Sequence, residues 1–207
     1  MGIILETVVV GSLEVNCYVV AKEKNSTAIV IDPGDDLRKI KKSLDKYGLT
    51  AAAVINTHAH YDHIGCDDEF GAPVYVHQDD LALLRDPMLN LSGFFSCGYS
   101  VKGQIRTVTD GQLIEESGIS LRVLHIPGHS PGGMALYMEN PKEDIVFTGD
   151  CLFREGIGRT DFTGGSEKSL IKGIKEKLFI LPDKTVVYPG HGASSTIAYE
   201  KTHNPYL

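Results

Sequence analysis

The sequence NTHAHYDHIG, residues 56–65, places three histidines and one aspartate within six consecutive positions. Only eight histidines occur in the 207 residues of the chain, so chance is a poor explanation for this concentration. In an extended segment, residues two apart point to the same side, which would bring the side chains of His58 and His60 together. Asp62 and His63 follow where the chain is expected to turn into a helix. Four side chains of metal-binding type could therefore converge from one loop.

Three later loops share a second pattern, in which a β-rich run ends, a glycine follows and a side chain of metal-binding type comes next. These loops are Pro127-Gly128-His129, Thr148-Gly149-Asp150 and Pro189-Gly190-His191. Residues at strand ends often carry function because the strands hold them rigidly at one rim of a sheet. The sequence therefore predicts that His129, Asp150 and His191 join the first loop at one sheet edge.

The remaining pattern predicts a chain that alternates between strands and a few helices. Strands are expected at residues 3–10, 15–20, 27–31, 51–55, 74–76, 105–108, 119–125, 134–138, 145–147 and 185–187. Helices are expected at residues 37–47, 79–85 and 169–179. A long loop, residues 86–103, carries Phe94, Phe95 and Tyr99, which could cover a site. No domain boundary is visible, so we expect one domain over residues 1–207.

Composition argues against several classes of protein. The net charge is −7 and no basic stripe is present, which argues against a nucleic-acid partner. No apolar segment reaches the length needed to cross a bilayer, so we expect no membrane association and a cytoplasmic location. The four cysteines show no CxxC spacing and are expected to be reduced; they are Cys17, Cys66, Cys97 and Cys151. The sequence does not indicate an oligomeric state.

The motif HxHxDH, followed by single His, Asp and His residues at strand ends, resembles the metallo-β-lactamase superfamily. The segments Gly149-Asp150-Cys151-Leu152-Phe153 and Pro189-Gly190-His191-Gly192 are most similar to its glyoxalase-II-like (hydroxyacylglutathione hydrolase-like) members. The resemblance implies an α/β fold of the four-layer αβ/βα sandwich type, with two mixed β-sheets flanked by helices. It is closest to short, single-domain members that lack the C-terminal helical domain of longer ones.

The resemblance also implies which residues hold metal. His58, His60 and His129 would bind a first ion, Asp62, His63 and His191 a second, and Asp150 would bridge both. Two divalent ions are implied, with zinc expected and iron or manganese possible for the same ligand types.

The chemistry implied is hydrolysis of a small thioester, such as an S-2-hydroxyacylglutathione or a related thiol ester. A hydroxide bridging the two ions would attack the carbonyl carbon, with Asp62 and Asp150 as the catalytic carboxylates. Asn56, Thr57 and Ser130 could hydrogen-bond to the ligands. Arg159 stands where the glyoxalase-II-like pattern has a basic residue that binds a carboxylate of glutathione. Ala193 replaces a tyrosine of that pattern, which argues against glutathione as the thiol.

Two alternative functions fit the same motif. The first is a persulfide dioxygenase with a single iron, and the second is a non-catalytic metal or redox module. The remaining histidines, His77, His125 and His203, are expected to be structural, with a hydrogen bond to a metal ligand as the alternative for His125. Cys151 is expected to be a small buried apolar residue, although it follows Asp150 directly.

Overall fold

The computed structural model describes residues 3–95, 98–139 and 144–207. Cys97, one of the cysteines predicted to be reduced, lies outside these ranges. The other three cysteines are free and buried. Within the described residues, no helix combines the length and the apolar character needed to cross a membrane.

Six strands form the first sheet, and their order in the sheet follows their order in the chain. They are β1 (Ile4–Val10), β2 (Val15–Ala21), β3 (Thr27–Ile31), β4 (Thr50–Ile55), β5 (Val74–His77) and β6 (Ile105–Val108). The first three strands are antiparallel neighbours, whereas β3, β4, β5 and β6 run parallel. The sheet is therefore mixed, and the carboxyl ends of β3 and β4 lie at one edge.

The second sheet also has six strands, in the order β14-β13-β10-β9-β8-β7. They are β7 (Leu113–Glu116), β8 (Ile119–His125), β9 (Met134–Met138), β10 (Ile145–Gly149), β13 (Val186–Pro189) and β14 (Ser195–Thr196). A small separate hairpin is formed by β11 (Leu152–Phe153) and β12 (Gly156–Ile157). Strands β10 and β13 are parallel, and β8 runs in the same direction because β9 is antiparallel to both of its neighbours. The three loops with glycine before a ligand-type residue therefore leave the same edge.

In the part of the chain that the structure describes, five helices accompany the sheets. They are α1 (Leu37–Lys46), α2 (Tyr61–Ile64), α3 (Leu81–Arg85), α4 (Glu167–Gly173), which continues as a π-helical segment (Ile174–Leu178), and α5 (Ile197–His203). Short 3₁₀ segments occupy Asp67–Phe70, Gln78–Asp80 and Ser92–Phe95. Helix α1 ends as predicted, with Gly48 in the left-handed conformation just after it.

The buried side chains of the core show how the sheets and helices are stacked in layers. Alternate residues of a strand face opposite sides, so Tyr18 and Val20 pack between the sheets, whereas Val19 contacts the layer of α1. Ile40 and Leu44, four residues apart on α1, bury that helix on the outer face of the first sheet. A corresponding cluster packs α4 and α5 on the second sheet. The molecule is thus a four-layer αβ/βα sandwich with two mixed sheets, as the resemblance implied.

Each predicted strand and helix is present, with small shifts at the ends. The helix predicted at residues 169–179 starts earlier, at Glu167, because Ser166 accepts a hydrogen bond from the backbone N–H of Ser169 and caps it. The pattern missed β7, the β11–β12 hairpin, β14 and α5. The missed strands are two to four residues long.

Candidate metal centre

The edge where the two sheets meet carries one cluster of imidazole and carboxylate groups, here called the ligand cluster. It consists of His58, His60, Asp62, His63, His129, Asp150 and His191. The β4–α2 connection and α2 supply the first four of these side chains, and the loops after β8, β10 and β13 supply the others. The structure therefore brings together all seven residues that the sequence singled out.

Three imidazoles form one half of the ligand cluster. His60 Nδ1 lies 2.9 Å from His129 Nε2, and His58 Nε2 lies 3.2 Å from the same nitrogen. The three rings meet nearly edge to face, with interplanar angles of 79° to 87°. Because an imidazole lone pair lies in the plane of its ring, rings at these angles can aim their nitrogens at one shared point.

The other half combines histidines with carboxylates. His63 Nε2 lies 3.8 Å from Asp62 Oδ2, and His191 Nε2 lies 3.6 Å from the same oxygen. Asp150 stands between the halves, since its Oδ2 is 3.5 Å from His129 Nε2 and 3.6 Å from His191 Nε2. Its Oδ1 is 3.5 Å from His63 Nε2. This central position is the one that a carboxylate shared by two ions would need.

The hydrogen bonds of two imidazole rings indicate that the ligand cluster suits a cation. His129 Nδ1 is 2.8 Å from the carbonyl oxygen of Arg159, and His191 Nδ1 is 2.9 Å from that of Leu13. A carbonyl only accepts, so both Nδ1 atoms carry the hydrogen and the Nε2 atoms present lone pairs to the centre. The Nε2 lone pair of His191 thus faces the carboxylate oxygens of Asp62 and Asp150, an arrangement that requires a proton or a metal ion between them.

Two buried polar atoms in the same centre support this fit. His63 Nε2 and Asp150 Oδ1 have no hydrogen-bond partner among the described residues. Unpaired buried polar atoms are costly in a folded protein, and a bound ion would satisfy both. The donor set of imidazole nitrogens and carboxylate oxygens suits zinc, iron or manganese equally.

The pKa values differ between the two halves. Burial holds the pKa of His58 well below its usual range and lowers the pKa of His60 to about 3, with His129 adding to the shift in His60. These rings stay neutral and are ready to bind an ion. Burial would also lower the pKa of His63, but nearby carboxylates, Asp62 foremost, raise it to about 10. In that half a proton takes the place that a metal ion would fill.

Two aspartates that the sequence reasoning did not assign hold the ligand cluster in place. Asp32, at the end of β3, accepts hydrogen bonds from Thr57 N and Thr57 Oγ1, both at 2.7 Å. Its Oδ2 also lies 3.1 Å from His63 Nδ1. A carboxylate behind a metal-binding imidazole fixes the ring orientation. Its position after a strand that ends at the same edge was the available signal.

The second of these aspartates is Asp80, which is fully buried. It accepts hydrogen bonds from Ala59 N at 3.0 Å and from Gly132 N at 2.5 Å. Ser130 Oγ also donates to Asp80, at 2.7 Å, so Ser130 contacts this carboxylate and not a ligand imidazole. Asp80 thus ties the loop of His58 and His60 to the loop after His129. No local pattern around residue 80 indicates this role, because its partners are far away in the sequence.

Thr57 and Asn56, the other two residues predicted to hydrogen-bond to the ligands, differ in what they contact. Thr57 Oγ1 lies 3.3 Å from His58 Nδ1, which agrees with the role expected for Thr57. Asn56 Nδ2 donates to the carbonyl oxygen of His63 and to Asp67 Oδ1, and therefore supports the loop backbone, not an imidazole. Cys151 is buried in the core as predicted.

His77 and His125 lie apart from the ligand cluster and stack on each other, with ring centroids 3.7 Å apart. Together with Asp79 they form a second group, here called the outer cluster. His203 is exposed and stacks on Tyr199 within α5. None of the three histidines approaches the ligand cluster, in agreement with the structural roles predicted for them.

A cavity of about 900 Å³ opens beside the ligand cluster and is bordered by five of its members. Phe94 and Phe95 line it as the sequence suggested, and so do Arg159 and Phe162 from the glycine-rich segment 156–165. Tyr99 does not line it; its hydroxyl instead accepts a hydrogen bond from Asp68 N. The Arg159 guanidinium makes two hydrogen bonds to the carboxylate of Asp161, at 2.7 and 2.6 Å.

The fold and the ligand cluster define the class: an αβ/βα sandwich with a candidate metal centre at the shared edge of its two sheets. A family model for the metallo-beta-lactamase superfamily matches residues 10–191. The chain therefore belongs to the metallo-beta-lactamase superfamily.

Relatives and solved structures agree with this assignment. An uncharacterized protein of Mycobacterium tuberculosis is 42% identical over 214 residues, which cover 95% of this chain and 94% of that protein. A probable metallo-hydrolase of Bacillus subtilis, YqgX, is 37% identical over 96% of this chain and 94% of its own length. The hydroxyacylglutathione hydrolase GloC of Haemophilus influenzae is 30% identical over 98% of this chain and 97% of its own length.

Among solved structures, the B3 metallo-beta-lactamase BLEG-1 is similar to this chain with a TM-score of 0.90. It is 35% identical, and the match covers 99% of both chains. TTHA1623, solved in a di-iron-bound form, matches with a TM-score of 0.80 and 35% identity, over 98% of this chain and 100% of that chain. Both similarities extend over nearly the whole of this chain.

Proposed function

We propose that the protein is a metal-dependent hydrolase that uses two divalent ions to cleave a small thioester. The observation that carries this proposal is the convergence of seven ligand-type side chains into two sets that share Asp150. Relatives named as a probable metallo-hydrolase and as a hydroxyacylglutathione hydrolase support the reaction class. The di-iron form of TTHA1623 supports two ions and makes iron a candidate beside zinc.

In this proposal His58, His60 and His129 would hold one ion and Asp62, His63 and His191 would hold the other, with Asp150 available to both. The distances from Asp150 to His129 and to His63 support this division. When bound, the ions would supply Lewis acidity, which polarises a carbonyl group and lowers the pKa of water towards neutrality.

The residues of the chain orient the ligand imidazoles and keep a carboxylate ionised beside the site. The Arg159 and Leu13 carbonyls fix the Nδ1–H tautomers of His129 and His191, so the Nε2 atoms that face the centre are the ones that would bind an ion. Asp62 borders the cavity, and the imidazoles beside it, His63 foremost, hold its pKa low although burial opposes the shift. A carboxylate kept ionised at the mouth of the site can orient a water molecule and accept a hydrogen bond from it.

The direct test is a substrate screen on protein loaded with zinc, iron or manganese in turn, with metal content measured beside activity. Hydrolysis of thioesters with about two ions per chain is expected. Cleavage of lactones or phosphodiesters without turnover of any thioester would overturn the thioester assignment. A single iron per chain, with oxygen consumed in the presence of a persulfide, would identify the dioxygenase alternative instead.

A further inference from the structure

The cavity beside the ligand cluster has an apolar wall on one side. This apolar wall is formed by Met88, Leu89, Leu91, Phe94, Phe95 and Phe162. Imidazoles and carboxylates of the ligand cluster line the same cavity, and the Phe162 ring lies 5.2 Å from the His60 ring. Cavities of this size, apolar over most of their surface with a few placed polar groups, are typical of sites for small molecules.

Exposed apolar side chains are concentrated at this wall. Met88 is 55% exposed, Phe94 is 67% and Phe95 is 61%, and Leu89 reaches 40%. Single exposed apolar residues are ordinary, but four within an eight-residue segment that faces a cavity are not. Exposed area of this kind is unfavourable in water, and a bound apolar group would cover it.

The segment that carries the wall is internally ordered. Asn90 and Ser92 are buried at its base, where Asn90 Nδ2 donates to the carbonyl oxygen of Tyr99 and Asn90 Oδ1 accepts from Ser92 N. Tyr61 N donates to the carbonyl oxygen of Asn90 at 2.9 Å, and the Tyr61 ring stacks on Phe95. The wall is therefore attached directly to α2, the helix that carries Asp62, and is preformed beside the reacting groups.

Charge at the cavity does not favour an anionic substrate. Arg159 is the only arginine or lysine among the described residues that line the cavity. Its guanidinium is already engaged by both oxygens of Asp161 and lies 4.3 Å above the Phe162 ring. Asp161 occupies Nε and Nη2 and offsets the guanidinium charge, so an anionic group on a substrate would meet only the Nη1 side of Arg159, with a carboxylate beside it.

We infer that the preferred substrate is a thioester with a large, uncharged apolar group on one side of the scissile bond, seated against the apolar wall. This inference rests on the proposed thioester hydrolysis and specifies its substrate class. The reaction is ordinary hydrolysis: water adds its oxygen to the acyl carbon, the carbon–sulfur bond breaks, and a proton from water goes to the departing thiolate. The products are a carboxylic acid and a free thiol.

The first experiment varies the acyl group and the thiol separately on metal-loaded protein. Acyl chains from acetyl to octanoyl are attached to uncharged N-acetylcysteamine or to anionic glutathione, and an apolar aryl thiol carries the acetyl group in a third arm. We expect kcat/KM to rise about fourfold for each buried methylene group, on the acyl or the thiol side. We also expect N-acetylcysteamine esters to be preferred over glutathione esters of the same acyl group.

Variants then locate the effect. Phe94→Ser and Met88→Ser should each lower the ratio of octanoyl to acetyl kcat/KM several-fold. Ile180→Ser removes a similarly exposed apolar side chain that does not line the cavity, and it should leave that ratio unchanged. Asp161→Asn should release Arg159 and raise the relative use of glutathione esters.

Three outcomes are decisive. The inference is overturned, and thioester hydrolysis is left intact, if kcat/KM of the wild-type protein does not depend on the length of the acyl chain or on the apolarity of the thiol. A preference for short glutathione esters has the same consequence. A chain-length dependence that persists in both wall variants also overturns it, since the apolar wall would not be the binding surface. No turnover of any thioester overturns the proposed function itself, and this inference with it.

Discussion

The ligand cluster and the outer cluster are built from the same residue types, yet their geometry differs in the feature that matters for binding an ion. In the ligand cluster the rings of His58, His60 and His129 meet nearly at right angles. In the outer cluster the rings of His77 and His125 are stacked, with an angle of only 13° between them. Lone pairs lie in the ring plane, and two nearly parallel planes do not direct them to one point.

The polar atoms of the two clusters also have different partners. In the outer cluster, His125 Nε2 lies 2.9 Å from the carbonyl oxygen of Pro131, and His77 Nδ1 accepts a hydrogen bond from Asp79 N. In the ligand cluster, His63 Nε2 and Asp150 Oδ1 are buried without a hydrogen-bond partner among the described residues. Nearness of histidines and aspartates is thus insufficient to indicate a metal site; the ligand atoms must also lack other partners and converge.

The largest expected effect comes from removing one charge at the centre of the ligand cluster. Asp150→Asn keeps the shape of the side chain but removes the shared carboxylate. Partners behind a ligand commonly contribute about 10–100-fold to metal affinity, so loss of a ligand should cost more than about 100-fold. Metal content after dialysis in metal-buffered solution, and kcat/KM on thioesters, should both fall.

The same substitution in the outer cluster is the matched control. Asp79→Asn should leave metal content and kcat/KM unchanged, because Asp79 is exposed and lies beside stacked rings. Equal loss of metal in the Asp79 and Asp150 variants would show that the outer cluster binds an ion too, and the distinction drawn from ring geometry would be wrong.

A smaller loss is expected when the carboxylate behind His63 is neutralised. Asp32→Asn should lower metal affinity by about 10–100-fold, since the amide no longer balances charge or fixes the ring of His63. Asp32 has a φ of 51°, a left-handed conformation that asparagine tolerates, so the backbone should not change. The measurement is a competition titration against a coloured chelator.

The control for that substitution is Asp36→Asn. Asp36 has a φ of 50° and also accepts a backbone hydrogen bond, from Gly11 N, but it lies at the start of α1. Metal affinity should be the same as in the wild-type protein. An Asp32 variant with unchanged affinity would mean that His63 keeps its orientation without this carboxylate.

A third prediction concerns the space around the ligand cluster. A Cβ atom at Gly190 would lie 2.3 Å from Asp150 Oδ1 and 2.9 Å from His63 Cε1. Gly190→Ala should therefore displace both ligands and lower the free energy of unfolding by about 1–3 kcal/mol. At Gly156 the nearest atom to an added Cβ is 3.7 Å away, so Gly156→Ala is the matched control and should be close to neutral. Urea denaturation with and without metal separates packing from binding.

Sequence alone identified the ligand cluster because each ligand follows a recognisable strand and, in three cases, a glycine. His129, Asp150 and His191 are adjacent in space because β8, β10 and β13 run in the same direction, and that direction follows from their pairing. The individual strands were accessible because their alternation and β-branched content give a local signal, whereas the four-layer fold was implied by the resemblance of the motifs to a known family.

Residues whose roles depend on partners far away in the sequence could not be identified from local sequence patterns. Asp80 looks like one acidic residue among several, and only its contacts with residues 59, 130 and 132 reveal its role. The pairing of Arg159 with Asp161 is a second case, because the resemblance implied a carboxylate of the substrate as the partner of Arg159 and gave no sign of Asp161. The sequence places both residues in the same loop, but it does not specify that their side chains meet.

Substitution in the outer cluster is expected to have the smallest effect on the ligand cluster. It is expected to change the stability of the protein instead. Burial, with His125 next in importance, lowers the pKa of His77 to about 4, against 6.5 for an ordinary histidine. Between pH 6.5 and pH 4 the unfolded chain binds a proton at residue 77, whereas His77 of the folded protein stays neutral. The contribution of His77 to the free energy of unfolding is therefore complete above pH 6.5 and is lost as the pH falls towards 4. Between pH 7 and pH 5 this loss amounts to about 2 kcal/mol.

His77→Gln should remove that dependence. In chelator-treated protein, the decrease in the free energy of unfolding from pH 7 to pH 5 should be about 2 kcal/mol smaller in the variant than in the wild-type protein. His203→Gln, at an exposed position, should keep the wild-type decrease. Metal content at pH 7 should be unchanged in both variants. If His77→Gln keeps the full pH dependence, the stacked pair does not exclude protons, and the two clusters differ less than their ring geometry indicates.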